Sequence, residues 1–326
     1  MKAVILDDWE RNFLHSPSLA KLKQYFDVEI YHDMPDEEEL IKRISQADVI
    51  MAVRERTKFT KEILQQMKSI KLIAQTGAGL AHIDMKEATR LNIPVATTPG
   101  GTQGVVELIF GFMIAYSRNM LVLNEAIKGG HWPQSVGFNL EGKTIGIIGL
   151  GKIGLGTAKV AKAFNMNVLA WGPTLTPERA EEHGVTYTSL ESLLKESSFV
   201  SVSVRLVPET RHLLNESHFK MMRKDAFFIN TARGEVADEQ ALVKALKENQ
   251  IGGAGLDVFA HEPLDPDHPL LTLSNVILTP HIGWKTDRVF ENFLDVSIDN
   301  IISFFMSNSP KRIANPEVLG QSHGRN

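Results

Sequence analysis

The chain has 326 residues, 43% of them apolar and 23% charged, with 35 basic against 39 acidic side chains and no cysteine. At about 150 residues per domain this length suggests two domains with ample core, and the composition excludes collagen-like, disordered and coiled-coil rod proteins. The net charge of −4 gives no electrostatic footprint for nucleic acid or an anionic membrane, and the lack of Cys excludes disulfide scaffolds, iron–sulfur clusters, Cys-ligated zinc and thiol catalysis.

In chain order, an apolar run at 3–6 ends at Asp7 and Asp8. It is too short for a signal-peptide core and reads as a first strand. Helix 36–46, strand 49–53, helix 60–67 and strand 72–74 follow. The stretch 102–118 is apolar nearly all round, the pattern of a helix buried between domains or subunits. Its most apolar part, 105–115, contains Glu107 and falls well short of the ~20 residues of a membrane span. Then come strand 144–148, helix 153–164, strand 167–170, helix 189–195, strand 199–204, helix 216–222, strand 226–229, helix 239–249 and strands 253–256 and 276–278. Met221, Met222, Phe227 and Phe228 read as core. A last helix at 287–306 spaces Val289, Phe290, Phe293, Leu294, Ile298, Ile301, Ile302 and Phe305 on one face, with Glu291, Asp295 and Asp299 opposite. The tail after Ser307, with Pro310 and Pro316, reads as a strap over the surface or a disordered segment. The strands are short continuous runs rather than alternating ones, as in parallel sheets covered on both faces. Their regular alternation with helices predicts a doubly wound α/β fold. A soluble, cytosolic protein is expected.

Strand 144–148 runs into Gly149-Leu-Gly151-Lys152-Ile153-Gly154 and then a helix. In such a GxGxxG turn the first glycine permits the bend, the second admits a pyrophosphate against the backbone, and the third lets helix and strand pack closely. The helix start offers free N–H groups and a positive dipole end. A bare GxGxxG is weak evidence; here strand, turn, helix and a next strand beginning at Asn167 supply the required context. The carboxylate that usually binds the ribose 2′-OH about 20 residues on is missing. That position reads Trp171-Gly172-Pro173-Thr174, the nearest carboxylate is Glu178, and Arg179 is the one cation placed to reach back. The coenzyme is therefore NAD(H) or NADP(H), with a lean to NAD(H).

Arg233, Glu262 and His281 each fall just after a predicted strand end, where open parallel sheets bind ligands. Carbonyl reduction by hydride needs a proton donor, and imidazole suits that task. A carboxylate beside the ring fixes it and favours its charged form, and a guanidinium grips a 2-oxo acid's carboxylate with two prongs. Each residue alone is unremarkable; together they point to acid–base chemistry on an anionic carbonyl substrate. His82, His131 and His261 show no ligand spacing, so no metal site is expected, and His261 is expected to point away from Glu262.

These segments make the chain resemble the D-isomer-specific 2-hydroxyacid dehydrogenases, over nearly its whole length. The resemblance is carried by Gly77-Ala78-Gly79 with Ile83-Asp84, by Gly146 to Gly154, and by Pro208-Glu-Thr210. It continues through Ile229-Asn-Thr231-Ala232-Arg233-Gly234, Gly255-Leu-Asp257-Val-Phe259 with Glu262-Pro263, and Thr279-Pro-His281-Ile-Gly283. It implies a Rossmann cofactor domain at 100–284 inserted into a flavodoxin-like substrate domain formed by 1–99 and 285–326. It implies His281 as general acid/base paired with Glu262, Arg233 on the substrate carboxylate, and Ala78 and Gly79 N–H groups on its other oxygen. Asp257 would orient the nicotinamide carboxamide, and Thr102, Pro208, Thr210, Thr231, Ala232 and Gly283 would line the cofactor with Gly172, Pro173 and the glycine loop. The partners implied are a small 2-oxo or 2-hydroxy acid and a second copy of the chain in a homodimer, with no nucleic acid and no membrane. Trp284 stands where the family often has a small residue; it walls the pocket or packs under the last helix. Arg54, in Arg54-Glu-Arg56-Thr57, binds a second anionic group of the substrate or belongs to a solvated charged loop. An alternative to the enzyme is a non-catalytic dinucleotide sensor or scaffold of the same fold, like the C-terminal binding protein corepressors, although no separate recognition segment is visible. Formate dehydrogenases resemble the family too, but have Gln where this chain has Glu262.

Overall fold

The computed structural model describes residues 1–14, 16–307 and 311–319. The chain divides into two compact units, Met1–Gly101 with Lys285–Asn326, and Thr102–Trp284.

The first unit begins with β1 (Lys2–Ile5), α1 (Pro17–Leu22), β2 (Asp27–Ile30), α2 (Glu37–Ile44), β3 (Val49–Ala52), α3 (Lys61–Gln66), β4 (Leu72–Gln75), α4 (Met85–Arg90) and β5 (Val95–Thr97). All strand pairs are parallel, in the order β2-β1-β3-β4-β5. The central strands β3 and β4 are buried at every position, which is why they read as unbroken apolar runs. Strands β2 and β5 and helices α1 and α4 were not expected. β2 is an edge strand with two acidic residues and no fully buried position, and β5 is three residues long after Pro94. Neither carries the apolar signal of a covered strand.

The second unit contains α5 (Gln103–Ser117), α6 (Met120–Lys128), β6 (Thr144–Ile148), α7 (Lys152–Ala163), β7 (Asn167–Trp171), α8 (Pro177–Glu182), β8 (Thr186–Tyr187), α9 (Leu190–Glu196), β9 (Phe199–Val202), α10 (Glu216–Met221), β10 (Phe227–Asn230), α11 (Glu239–Lys247), β11 (Gly253–Leu256) and β12 (Val276–Leu278). The seven parallel strands run β12-β11-β10-β9-β6-β7-β8, so the order reverses between β6 and β9. In open α/β sheets ligands bind beyond the strands' carboxyl ends at such a switch point. Helix α5 covers this unit's own sheet. A Cβ on Gly156 or Gly255 would press on Val106 or Phe112, and Tyr116 stacks on Phe227 at 4.1 Å. Its nearly all-round apolar character comes from that burial between sheet and α7.

The last helix, α12 (Asp287–Ser307), returns to the first unit and packs on α1, β4 and β5, with Phe293, Leu294, Ile298 and Ile301 fully buried. The buried Asn300 side chain donates to Thr97 O at 3.1 Å. Residues 311–319 form a strap across β5. Ala314 N–H donates to Val95 O at 2.8 Å, and the Asn315 side chain takes Val95 N–H at 2.9 Å while donating to Ile93 O at 2.9 Å. The rest of the tail, 308–310 and 320–326, lies outside the described residues. Both units are thus parallel α/β sandwiches, as the sequence pattern predicts. Among the described residues no single helix is long and apolar enough to cross a membrane.

Candidate active site

The glycine loop leaves β6 with Gly149 at φ +103, a backbone state open to glycine, and a Cβ there would press on the Ser203–Val204 peptide. At Gly154 a Cβ would overlap the Gly149 carbonyl, so the loop closes only with glycine at both ends. Around Gly151 there is open space, and Gly151 caps the twelve-residue α7 with no side-chain hydrogen bond. The first intrahelical bond runs from Leu155 N–H to Gly151 O at 2.8 Å, which leaves the N–H groups of Lys152, Ile153 and Gly154 unspent. Free donors, a positive helix end and room at the middle glycine fit a pyrophosphate. Two buried hydroxyls beyond neighbouring strand ends, Ser203 and Thr231, have no partner, as expected of a crevice shaped for a bound group. Gly172 is buried beside the loop, and Pro173 is exposed at the turn. Pro208 is exposed, whereas the Thr210 hydroxyl is spent within its own loop, donating to Arg205 O at 2.6 Å and accepting Val207 N–H at 2.9 Å. Thr102 is half-buried at the start of α5, without a capping bond.

The three acid–base candidates are delivered by the loops after β10, β11 and β12. Beyond β10, the buried Asn230 side chain receives Ala232 N–H at 3.1 Å and donates to Arg233 O at 2.9 Å, pinning the turn. Arg233 is exposed, and its Nη1 donates to Ala232 O at 2.7 Å. A Cβ on Gly234 would overlap the Phe259 carbonyl and Ala260 nitrogen. That close approach brings the Arg233 turn against the loop that carries Glu262. Glu239, at the start of α11, takes Ala260 N–H at 3.1 Å and meets His268 Nε2 at 3.2 Å, holding the same loop from behind.

His281 sits at φ +52, in the left-handed region that L residues seldom adopt. The 1%-exposed Asp257 carboxylate imposes this turn. One oxygen takes the Thr279 hydroxyl at 2.6 Å and Ile282 N–H at 2.7 Å, and the other takes Gly283 N–H at 2.8 Å. The ring then meets Glu262, with Nδ1 to Oε2 at 2.7 Å, while Glu262 Oε1 accepts Phe259 N–H at 3.0 Å. Burial pushes the Glu262 carboxyl up, but the hydrogen bonds from His281 and Phe259 and the charges of His281 and Arg233 outweigh it. Glu262 therefore titrates below the ordinary carboxylate range. An ionised carboxylate only accepts, so the proton on this side of the ring belongs to Nδ1, and Nε2 is left for exchange. Trp284 follows and is half-buried.

In the first unit, Arg54 has φ +58 and its N–H donates to Thr76 Oγ1 at 2.8 Å. Its guanidinium pairs with Glu55 at 3.2 Å and lies where a Cβ on Gly77 would be, and Glu55 lies likewise at Gly79. The structure thus gathers Arg54 with Gly77, Ala78 and Gly79. Asn230, Glu239 and the clamping use of Asp257 were not anticipated. The available signal was a polar residue ending an apolar strand, because a buried polar side chain must find partners.

A family model described as "D-isomer specific 2-hydroxyacid dehydrogenase, NAD binding domain" matches residues 110–283. The glyoxylate reductase of Thermococcus litoralis is 37% identical over 316 residues, covering 93% of this chain and 95% of that protein. The structure of phosphoglycerate oxidoreductase from Vibrio cholerae matches with TM-score 0.84 at 31% identity, covering 94% of this chain and 99% of that one. An acyclic imino acid reductase solved with NADPH and D-Arg matches with TM-score 0.81 at 30% identity, covering 96% and 99%. With the glycine loop and strand-end loops described above, these matches establish that the chain belongs to the D-isomer-specific 2-hydroxyacid dehydrogenase family, enzymes that use a nicotinamide cofactor to interconvert 2-hydroxy and 2-oxo acids.

Proposed function

We propose that this chain reduces a small 2-oxo acid to the D-2-hydroxy acid, with His281 as the proton donor. The observation that carries the reading is the His281–Glu262 pair at 2.7 Å on a left-handed turn fixed by Asp257. Backbone strain held this firmly is typical of functional positions. A reduced nicotinamide, when bound, supplies the hydride. The N–H groups of Lys152, Ile153 and Gly154 hold its pyrophosphate, while Gly149, Gly172, Pro173, Pro208, Thr102, Thr231, Ala232 and Gly283 shape the walls of its site. Thr210 contributes by locking its loop, and Asp257 is free to meet a carboxamide only beyond the three bonds it already accepts. Arg233 spends one of five N–H donors on Ala232 O, and the rest are available to the substrate carboxylate. As the carbonyl carbon gains the hydride, His281 Nε2 donates the proton to its oxygen. Glu262 steadies the charged ring before the step and the tautomer with Nδ1 protonated after it. Substrate contacts by Arg54, by the Ala78 and Gly79 N–H groups, and by Trp284 are what the family pattern implies at those positions. This assignment rests on the family resemblance.

Glyoxylate is the first candidate substrate, because the Thermococcus litoralis relative carries that name. A homodimer joined through the second unit is supported by α6, which buries none of its residues. Met120, Leu121, Val122 and Ile127 are each more than half exposed, and Trp132 and Val136 beyond it are 80% and 96% exposed. An apolar surface of this kind marks a protein interface. A cytoplasmic location is part of the same reading. The test is a panel of glyoxylate, hydroxypyruvate, pyruvate, phenylpyruvate, 2-oxoglutarate and 3-phosphohydroxypyruvate with NADH and NADPH. Turnover of at least one is expected. Dinucleotide binding without any turnover would favour the sensor reading.

A further inference from the structure

The turn after β7 decides which dinucleotide fits. Trp171 O accepts Gly149 N–H at 2.7 Å, and a Cβ on Gly172 would stand 3.6 Å from Gly149 Cα. The turn itself closes with Leu175 N–H on Gly172 O at 3.1 Å. The carboxyl end of β7 thus lies in van der Waals contact with the glycine loop, and an adenosine ribose leaving that loop meets Gly172, Pro173 and Thr174. None of these offers the carboxylate that a 2′,3′-diol uses. Glu178, the nearest carboxylate in sequence, is turned back onto its own backbone and the Thr176 hydroxyl at the start of α8.

Arg179 comes to the loop instead. Its N–H is held by Thr176 Oγ1 at 3.3 Å, and its Nη2 donates to Leu150 O at 3.0 Å, in the middle of Gly149-Leu150-Gly151. One of five guanidinium donors is thereby used. The side chain is exposed, and among the described residues it makes no ion pair with a carboxylate. A cation is thus tethered to the phosphate loop, beside a carboxylate-free turn, with its charge unanswered. A 2′-phosphate brings a charge of about −1.5 to −2 and three acceptor oxygens to that position. The geometry points to Arg179 as the residue that receives the 2′-phosphate, making the chain selective for NADP(H) over NAD(H), against the lean of the sequence. This deepens the dinucleotide reading of the second unit and rests on it.

The test is calorimetric titration with 2′,5′-ADP and with 5′-ADP, which needs no turnover. Wild type should bind 2′,5′-ADP about tenfold to a hundredfold more tightly, the range of one or two charge-assisted hydrogen bonds. Arg179→Ala should abolish that preference while its affinity for 5′-ADP stays within about twofold, and Arg179→Lys should keep part of it as a point charge. A purely structural tether would weaken both ligands alike. Equal binding of the two ligands by wild type, or an undiminished preference in Arg179→Ala, overturns the assignment. If wild type binds neither, the dinucleotide reading itself fails, and Arg179's role with it.

Discussion

Replacing Glu262 by Gln keeps the size and shape of the side chain and removes what the site uses. Both carboxylate oxygens accept, one from Phe259 N–H at 3.0 Å and one from His281 Nδ1 at 2.7 Å. An amide has one acceptor oxygen, so in Glu262→Gln an NH2 faces either Phe259 N–H or the ring. If the amide keeps the Phe259 bond, its NH2 meets Nδ1, and the ring holds its proton on Nε2, the wrong tautomer to accept one in the oxidative direction. If it flips, a backbone donor loses its acceptor. The charge that stabilises imidazolium is gone either way. A charge-assisted hydrogen bond is worth about 1.5–3 kcal/mol, and solvent weakens this one because the side chains are 32% and 35% exposed. About 2 kcal/mol, or a roughly thirty-fold fall in kcat, is expected, with KM for the 2-oxo acid changed far less. Initial rates of nicotinamide oxidation across pH would measure it. In wild type the Glu262 carboxyl is held below its ordinary value of 4.5, so its contribution to stability and turnover is complete above that value. It is lost as the pH falls through the lower folded value. The variant should lack that acid step. A kcat within about threefold of wild type, or an acid limb unchanged in the variant, would show that the Glu262 carboxylate does not support the ring.

Asp257→Ala should act through the His281 turn. It orphans the buried Gly283 N–H and the half-buried Ile282 N–H and Thr279 hydroxyl, costing about 3 kcal/mol and lowering the second unit's melting point by roughly 6–12 °C, with kcat falling as well. A midpoint within about 2 °C of wild type by thermal scanning would show that the clamp is dispensable. The exposed apolar surface at α6 should join two copies. Light scattering should find a dimer, and Trp132→Asp combined with Val136→Asp should shift it toward monomer; a monomeric wild type would remove the interface.

The glycine loop was legible because its constraints are local. Positive φ at Gly149 and close contact at Gly154 admit few residues, and the flanking strand and helix leave their own patterns. His281, Glu262 and Arg233 were legible as a set because each follows an apolar strand in a sheet that aligns strand ends. What holds them was not. Asp257 reads in sequence as one more polar strand-end residue, and its three bonds exist only once the β12 loop folds over it. Gly234 reads as part of a turn, yet its lack of a Cβ is what lets the β10 and β11 loops touch. The edge strand β2 escaped because a strand covered on one side carries half the apolar signal, and α4 because six residues give less than two turns of periodicity. Arg179 was visible as a cation near the turn, but its bond to Leu150 O depends on how α8 packs, which no local pattern encodes.

The role of His281 as proton donor is tested by His281→Ala, measured for turnover on the best substrate of the panel and for dinucleotide affinity by fluorescence titration. A loss of about 10²–10⁴ in kcat is expected with dinucleotide affinity nearly unchanged, because the imidazole acts on the substrate's oxygen and the glycine loop holds the coenzyme. Turnover that survives the substitution would mean that the proton comes from another group, and that the pair at 2.7 Å is structural.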